Sequence, residues 1–187
     1  MARAPTGRPA TLCRMTSGQT WTVDLAPVDS AEALDLLRAY LIDVADRYYR
    51  LHEGRDSTPA EIEEGLSAAP SDHLTPPTGV FLVGRYDGAP AACAGLKVVD
   101  ATTVELTRVF VREEYRGTGG GTRLMEAVEA AARDLGAERI RLDTRLDLTE
   151  ARALYLKRGY VEVPPYSGGP FAEVWYRKEL VTADDLV

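Results

Sequence analysis

Six consecutive residues, Arg116-Gly117-Thr118-Gly119-Gly120-Gly121, stand between a run of β-type alternation, 104–111, and a run of helical spacing that begins near Gly119. Leu124, Val128, Ala131, Ala132 and Leu135 form the apolar stripe of that helix, Gly136 ends it, and residues 140–144 alternate again as a strand. A helix placed between two strands of one sheet implies a crossover, so the later strand must run parallel to an earlier one. The bend is equally constrained. Glycine removes the Cβ atoms that would shield main-chain N–H groups at a helix start, and the helix dipole adds partial positive charge there. The stretch reads as a phosphate site.

The remaining pattern supplies the rest of the sheet. A helix is expected to open at Asp29, with Glu32 as a variant capping box and Leu34, Leu37, Leu41, Val44 and Tyr48 as a buried stripe. Thr58, Pro59 and Glu61 mark a second, short helix with a capping box of its own. From Gly79 the period changes to two, and turns at Asp87-Gly88 and Asp100-Ala101 separate three runs that predict an antiparallel meander. Thr149 is the expected cap of a last helix that Gly159 stops, ahead of closing strands at 160–163 and 171–180. Two helices, three strands, helix, strand, helix and two strands make an α+β sandwich with a mixed central sheet.

Length and composition bound the class. The 187 residues, 45% apolar and 27% charged, suit one domain. Residues 1–20, with Pro5, Gly7, Pro9 and scattered arginines, read as a disordered leader in which Met15 is an alternative start; 21–180 form the domain and 181–187 a solvated tail. A net charge of −7 disfavours non-specific nucleic-acid binding and weakly favours a cationic substrate. Cys13 and Cys93 support neither a disulfide framework nor a thiolate zinc site, so no metal is expected and a reducing, cytoplasmic setting is. No stretch has the length and apolarity of a signal peptide or a membrane span, so no membrane partner is expected.

Glu105-Leu106-Thr107-Arg108-Val109-Phe110-Val111, then Arg116-x-x-Gly119-x-Gly121, then Ala153-Leu154-Tyr155 and Gly159-Tyr160 together resemble the GNAT family of N-acetyltransferases. Each motif alone is weak, but their order and spacing are specific. The resemblance covers about 81–180 and implies the acetyltransferase (GNAT) fold, with acetyl-CoA in a cleft between splayed middle strands, the fourth and fifth. It implies main-chain contacts from Val109, Phe110 and Val111 to the pantetheine arm. It also implies a pyrophosphate cradle from Arg116 through Gly117, Thr118, Gly119, Gly120 and Gly121 to Thr122. The activity implied is acetyl-CoA-dependent direct transfer to a primary amine of a small molecule or protein, without a metal. A non-catalytic acyl-CoA sensor on the same fold is the alternative, and a homodimer is left open. A dinucleotide fingerprint fits poorly, because Thr122 stands where its third glycine or alanine belongs.

Amine acetylation needs a base for the nucleophile, a donor for the oxyanion and a proton for the departing thiolate. By the resemblance Tyr155 is the general acid, against the reading of a packing tyrosine. Glu105 is the base, directly or through water, against a solvated strand glutamate or a partner of Arg108. Strict alternation would put Glu105, Thr107, Val109 and Val111 on one face of the strand and Leu106, Arg108 and Phe110 on the other. Arg112, Arg116 and Arg123 gather near the bend, where Arg116 and Arg123 are candidates for phosphate. Relatives often have an asparagine before the last helix, whereas this chain reads Leu146-Asp147-Leu148-Thr149. Acceptor candidates are Arg47-Tyr48-Tyr49-Arg50 and the loop 164–170; His52 and His73 read as structural or solvated.

Overall fold

A computed structural model describes residues 20–180. Cys13, Met15, the tail 181–187 and all but the last residue of the expected leader lie outside the described residues.

The strands are β1 (Trp21–Leu25), β2 (Gly79–Tyr86), β3 (Ala89–Val98), β4 (Thr103–Val111), β5 (Arg139–Thr144), β6 (Val161–Val163) and β7 (Val174–Glu179). They form one mixed sheet in the order β1-β2-β3-β4-β5-β7-β6. The helices are α1 (Ala31–Glu53), α2 (Pro59–Ala68), α3 (Gly120–Asp134) and α4 (Thr149–Lys157). Alternation along β2 explains the layering: Phe81 and Val83 pack with Ala33, Leu36 and Leu37 of α1, while Val80 and Leu82 pack with Leu124, Met125 and Val128 of α3. Tyr155 of α4 joins the α3 side. The crossover through α3 makes β4 and β5 parallel, as the sequence requires. Their pairing covers only Thr103–Glu105 against Arg139–Arg141, after which β5 continues beside β7 and the two middle strands part.

Several local expectations need correction. β1 was not anticipated; it is a five-residue edge strand whose partner, β2, lies more than fifty residues on, so its pairing leaves little trace in local periodicity. Ser30, not Asp29, caps α1, accepting from the Ala33 N–H at 3.3 Å, and Glu32 pairs with Arg85 instead of closing a box. The face of α1 in the core is Ala33, Leu36 and Leu37, whereas Leu34 is 55% exposed. Leu148 stands at the cap of α4 without a side-chain bond, and Thr149 is the first helical residue. The capping box of α2 forms as read, with Thr58 N–H donating to Glu61 at 2.7 Å and Glu61 N–H donating back at 3.3 Å.

The most consequential correction lies in β4. Gly95 pairs with Thr107 but Cys93 with Phe110, so β4 carries one extra residue, and Arg108 sits there at φ 57°. An extra residue reverses the alternation beyond it. Val109 and Val111 consequently pack on the α3 side with Val104 and Leu106, and no longer share a face with Glu105.

Cys93 is fully buried beneath this bulge, its thiol donating to the Arg108 carbonyl at 3.4 Å. Burial pushes the thiol up to about 12 from 9.0. The stability this group supplies is therefore complete below pH 9 and falls as the pH rises toward 12, because the unfolded chain releases the proton first. In a Cys13→Ser background, Cys93 is expected to stay unlabelled by a disulfide reagent at pH 8 until denaturant is added. Prompt labelling of the native protein would contradict this burial.

Candidate active site

Where β4 and β5 part, a cleft of about 1360 Å³ opens between α1, α2, β4, the glycine bend, the end of β5 and the start of α4. Residues 113–115 form a 3₁₀ turn, Gly117 and Gly119 adopt φ 79° and 92°, and α3 starts at Gly120 with no side-chain cap. The first N–H groups of the helix are thereby left to the cleft. A Cβ at Gly120 would collide with the ring of Trp21. That indole donates to Thr118 Oγ1 at 3.0 Å, and the threonine hydroxyl donates to the Tyr115 carbonyl at 2.7 Å. Tyr86 and Tyr115 complete the packing around Trp21, with ring centroids 5.3 and 6.3 Å away. The unanticipated edge strand thus buttresses the bend.

Arg116, Gly117, Gly119, Gly120, Gly121 and Thr122 all line the cleft, while Thr118 does not. The arginines near the bend are already engaged. Arg116 donates to the Val111 carbonyl at 3.0 Å and to Asp43 at 2.9 Å, Arg112 pairs with Asp35 at 2.5 Å, and Arg123 pairs with Glu126 at 3.1 Å. Positive character at the bend therefore rests on its main chain. On β4, the Arg112 N–H donates to Ala91 at 2.8 Å. By alternation the N–H and carbonyl of Val111 face away from β3, toward the gap. Val109, Phe110 and Val111 line the cleft, although the Phe110 ring belongs to the α1 core, edge-on to Tyr40 at 6.4 Å.

Tyr155 lines the same cleft and is 5% exposed, with Tyr160 and Tyr176 at 5.8 and 6.0 Å. Burial, with smaller effects from Tyr40 and Tyr176, drives its phenol well above the ordinary tyrosine range. Glu105 Oε2 accepts from Arg141 Nε at 3.0 Å and lies 2.9 Å from its Nη2, so its partner is not Arg108. Arg141 in turn stacks on Tyr166 at 4.4 Å.

Residues 39–160 match the model of the acetyltransferase (GNAT) family. An IAA acetyltransferase of Azospirillum brasilense is 32% identical over 132 residues, which cover 70% of this chain and 80% of that protein. The chain belongs to the GNAT acetyltransferase family. An uncharacterized N-acetyltransferase of Mycobacterium tuberculosis is 34% identical over 100 residues, 53% of this chain, and the match spans 64% of that relative's length. The fold is shared with the PaiA N-acetyltransferase of Thermoplasma acidophilum in complex with coenzyme A, at TM-score 0.61 and 18% identity over 86% of this chain and 99% of that one. It is shared also with a GNAT acetyltransferase of Elizabethkingia anophelis with acetyl-CoA bound, at TM-score 0.56 and 18% identity over 86% and 98%.

In this GNAT domain the acceptor candidates divide. Tyr48 and Tyr49 line the cleft, Tyr48 edge-on to Phe171 at 5.5 Å and Tyr49 beneath Arg55 at 4.3 Å. Arg47 also lines it, paired with Glu150 at 3.0 Å, but Arg50 turns to Asp56 at 2.5 Å. None of the loop 164–170 lines the cleft; Ser167 instead bridges Trp175 and Asp143 at 2.9 and 3.0 Å. Arg145 was not singled out from the sequence. It is 7% exposed, binds Asp147 through two 2.8 Å bonds and reaches the Val44 carbonyl at 2.9 Å, tying α1 to the segment before α4. Among the described residues, no helix is long and apolar enough to cross a membrane, and no group of three His, Cys, Asp or Glu could hold a metal.

Proposed function

We propose that this domain moves an acetyl group from acetyl-CoA directly to a primary amine, in the cytoplasm. The observation that carries the reading is the uncapped glycine bend opening into a cleft that the parted strands and Tyr155 also line. The residues fit the cosubstrate. Nothing lies within 4 Å of a Cβ position at Gly117 or Gly119, so the bend leaves room for a bulky anion against its main chain. The N–H groups of Gly117 and of Gly119 to Thr122 would hold the pyrophosphate, since the Arg116 N–H already donates to the Glu113 carbonyl at 3.1 Å and Thr118 lies off the cleft, and the outward main-chain groups of Val109 and Val111, beyond the β4–β5 pairing, would hold the pantetheine arm. Phe110 would fix the strand between them through its core packing.

When bound, acetyl-CoA supplies an activated thioester and a thiolate leaving group. Glu105 has Oε1 outside its pair with Arg141, and that oxygen would take the ammonium proton of the acceptor, directly or through water. Tyr155 holds a proton that burial keeps in place. A free thiol titrates near ~8.5, so a thiolate is too weak a base to strip this phenol and leave a tyrosinate behind. Tyr155 would hydrogen-bond the sulfur and pass it a proton only in step with receiving the one that the attacking nitrogen sheds, directly or through water, as the C–S bond breaks.

The reading is tested by following thiol release from acetyl-CoA across a panel of amines. Tight binding without release throughout the panel would make the domain a sensor instead. Glu105→Gln is expected to slow transfer about 100-fold near pH 7 with acetyl-CoA affinity unchanged. The deficit should shrink as the pH approaches the ~10 of an alkyl ammonium, where the amine loses its proton unaided. A variant as fast as the wild type at pH 7 would remove Glu105 as the base.

A further inference from the structure

On the transfer reading, the acceptor amine enters the cleft opposite the bend, and we infer that it carries a carboxylate recognised by Arg108. Five arginines line the cleft: Arg38, Arg47, Arg108, Arg116 and Arg145. Four of them are neutralised, by Glu63 at 2.7 Å, Glu150 at 3.0 Å, Asp43 at 2.9 Å and Asp147 at 2.8 Å respectively. Arg108 has no carboxylate within ion-pair distance among the described residues, although Glu64, Asp72, Glu105 and Asp143 line the same cleft. Its guanidinium is held by neutral acceptors only: the Ala69 carbonyl at 2.9 Å, with Ser71 Oγ and Thr107 Oγ1 at 3.4 Å, above the Tyr40 ring at 5.8 Å. These contacts orient the planar fork without cancelling its charge, and a carboxylate is the group that such a fork binds best.

The backbone supports the same assignment. A residue with a Cβ at φ 57° bears a strain that glycine would avoid. The bulge that imposes this conformation directs an arginine toward α2 and the segment 69–71. Glu105 precedes it on the same strand, paired with Arg141 through Oε2 alone, so the cleft offers an unmatched cation for an anion and the second carboxylate oxygen, Oε1, for an ammonium. That pairing of signs fits an amino acid better than a simple amine or a polyamine.

The test compares kcat/KM for amino acids with their decarboxylated counterparts: phenylalanine and phenethylamine, tryptophan and tryptamine, lysine and cadaverine. The wild type is expected to favour the acid of at least one pair tenfold or more, Arg108→Gln to abolish that preference, and Arg108→Lys to retain part of it. Loss of the bonds to residues 69–71 would slow both members of a pair equally, so the ratio isolates the carboxylate contact. Equal use of every pair by the wild type, or a preference that survives in Arg108→Gln, overturns the inference and leaves amine transfer standing. Acetyl-CoA binding with no amine acetylated at all overturns the transfer reading, and the inference with it.

Discussion

Tyr155→Phe is expected to lower kcat for acetyl transfer about 100-fold while leaving the Kd of acetyl-CoA within twofold. The substitution keeps the ring, and with it the contacts to Tyr160 and Tyr176 that place Tyr155 in the α3-side core. Stability should therefore change little, and a lost rate can be assigned to the hydroxyl. Because burial holds the phenol protonated far above neutrality, the wild type should show no alkaline loss of rate from this group below pH 9. Steady-state rates from pH 6 to 9, with calorimetric titration of acetyl-CoA, check both parts. A Phe variant that turns over at the wild-type rate would reduce Tyr155 to a packing residue.

Gly120→Ala should damage binding and stability together. The added methyl would fall onto the Trp21 indole, which is fixed by its bond to Thr118 and by the rings of Tyr86 and Tyr115. Overpacking of this kind costs about 1–3 kcal/mol, and the relief available is a shift of the helix start away from β1. Since the first N–H groups of α3 would move with it, acetyl-CoA affinity is expected to fall at least tenfold. A denaturation midpoint and a calorimetric titration measure the two effects. Trimming the neighbour, in Gly120→Ala with Trp21→Leu, should recover part of the affinity, because the two sites share one contact. Wild-type affinity in the single variant would show that the bend does not depend on this buttress.

Trp21 also shows why part of the site was illegible beforehand. The glycines, the helix stripe after them and the parallel strand that follows are written in contiguous residues, and each was readable from period and composition. The indole reaches Thr118 across 97 positions of sequence, from an edge strand too short to leave a periodic signal. The stripe Leu34, Leu37, Leu41, Val44 and Tyr48 illustrates a different limit. Its spacing marks an apolar helix face and predicts a buried stripe, yet all five residues line the cleft, only Leu37 is also buried in the core and Leu34 is exposed. Periodicity reports that a face avoids water, not whether protein or a ligand covers it. Likewise Arg116 stood out in the motif, but its side chain serves Val111 and Asp43, and the expected charge at the bend is left to the main chain.

The order of helices and strands after β1, the parallel crossover and the glycine bend at the start of α3 were determined by sequence alone, because they arise from interactions within a few residues of one another. Which side of β4 Val109 and Val111 face, what stands behind Gly120 and which arginine keeps its charge unmatched were decided by tertiary structure. A single inserted residue at Arg108 reverses a strand's alternation, and ion pairs form between chain segments whose meeting no local pattern encodes.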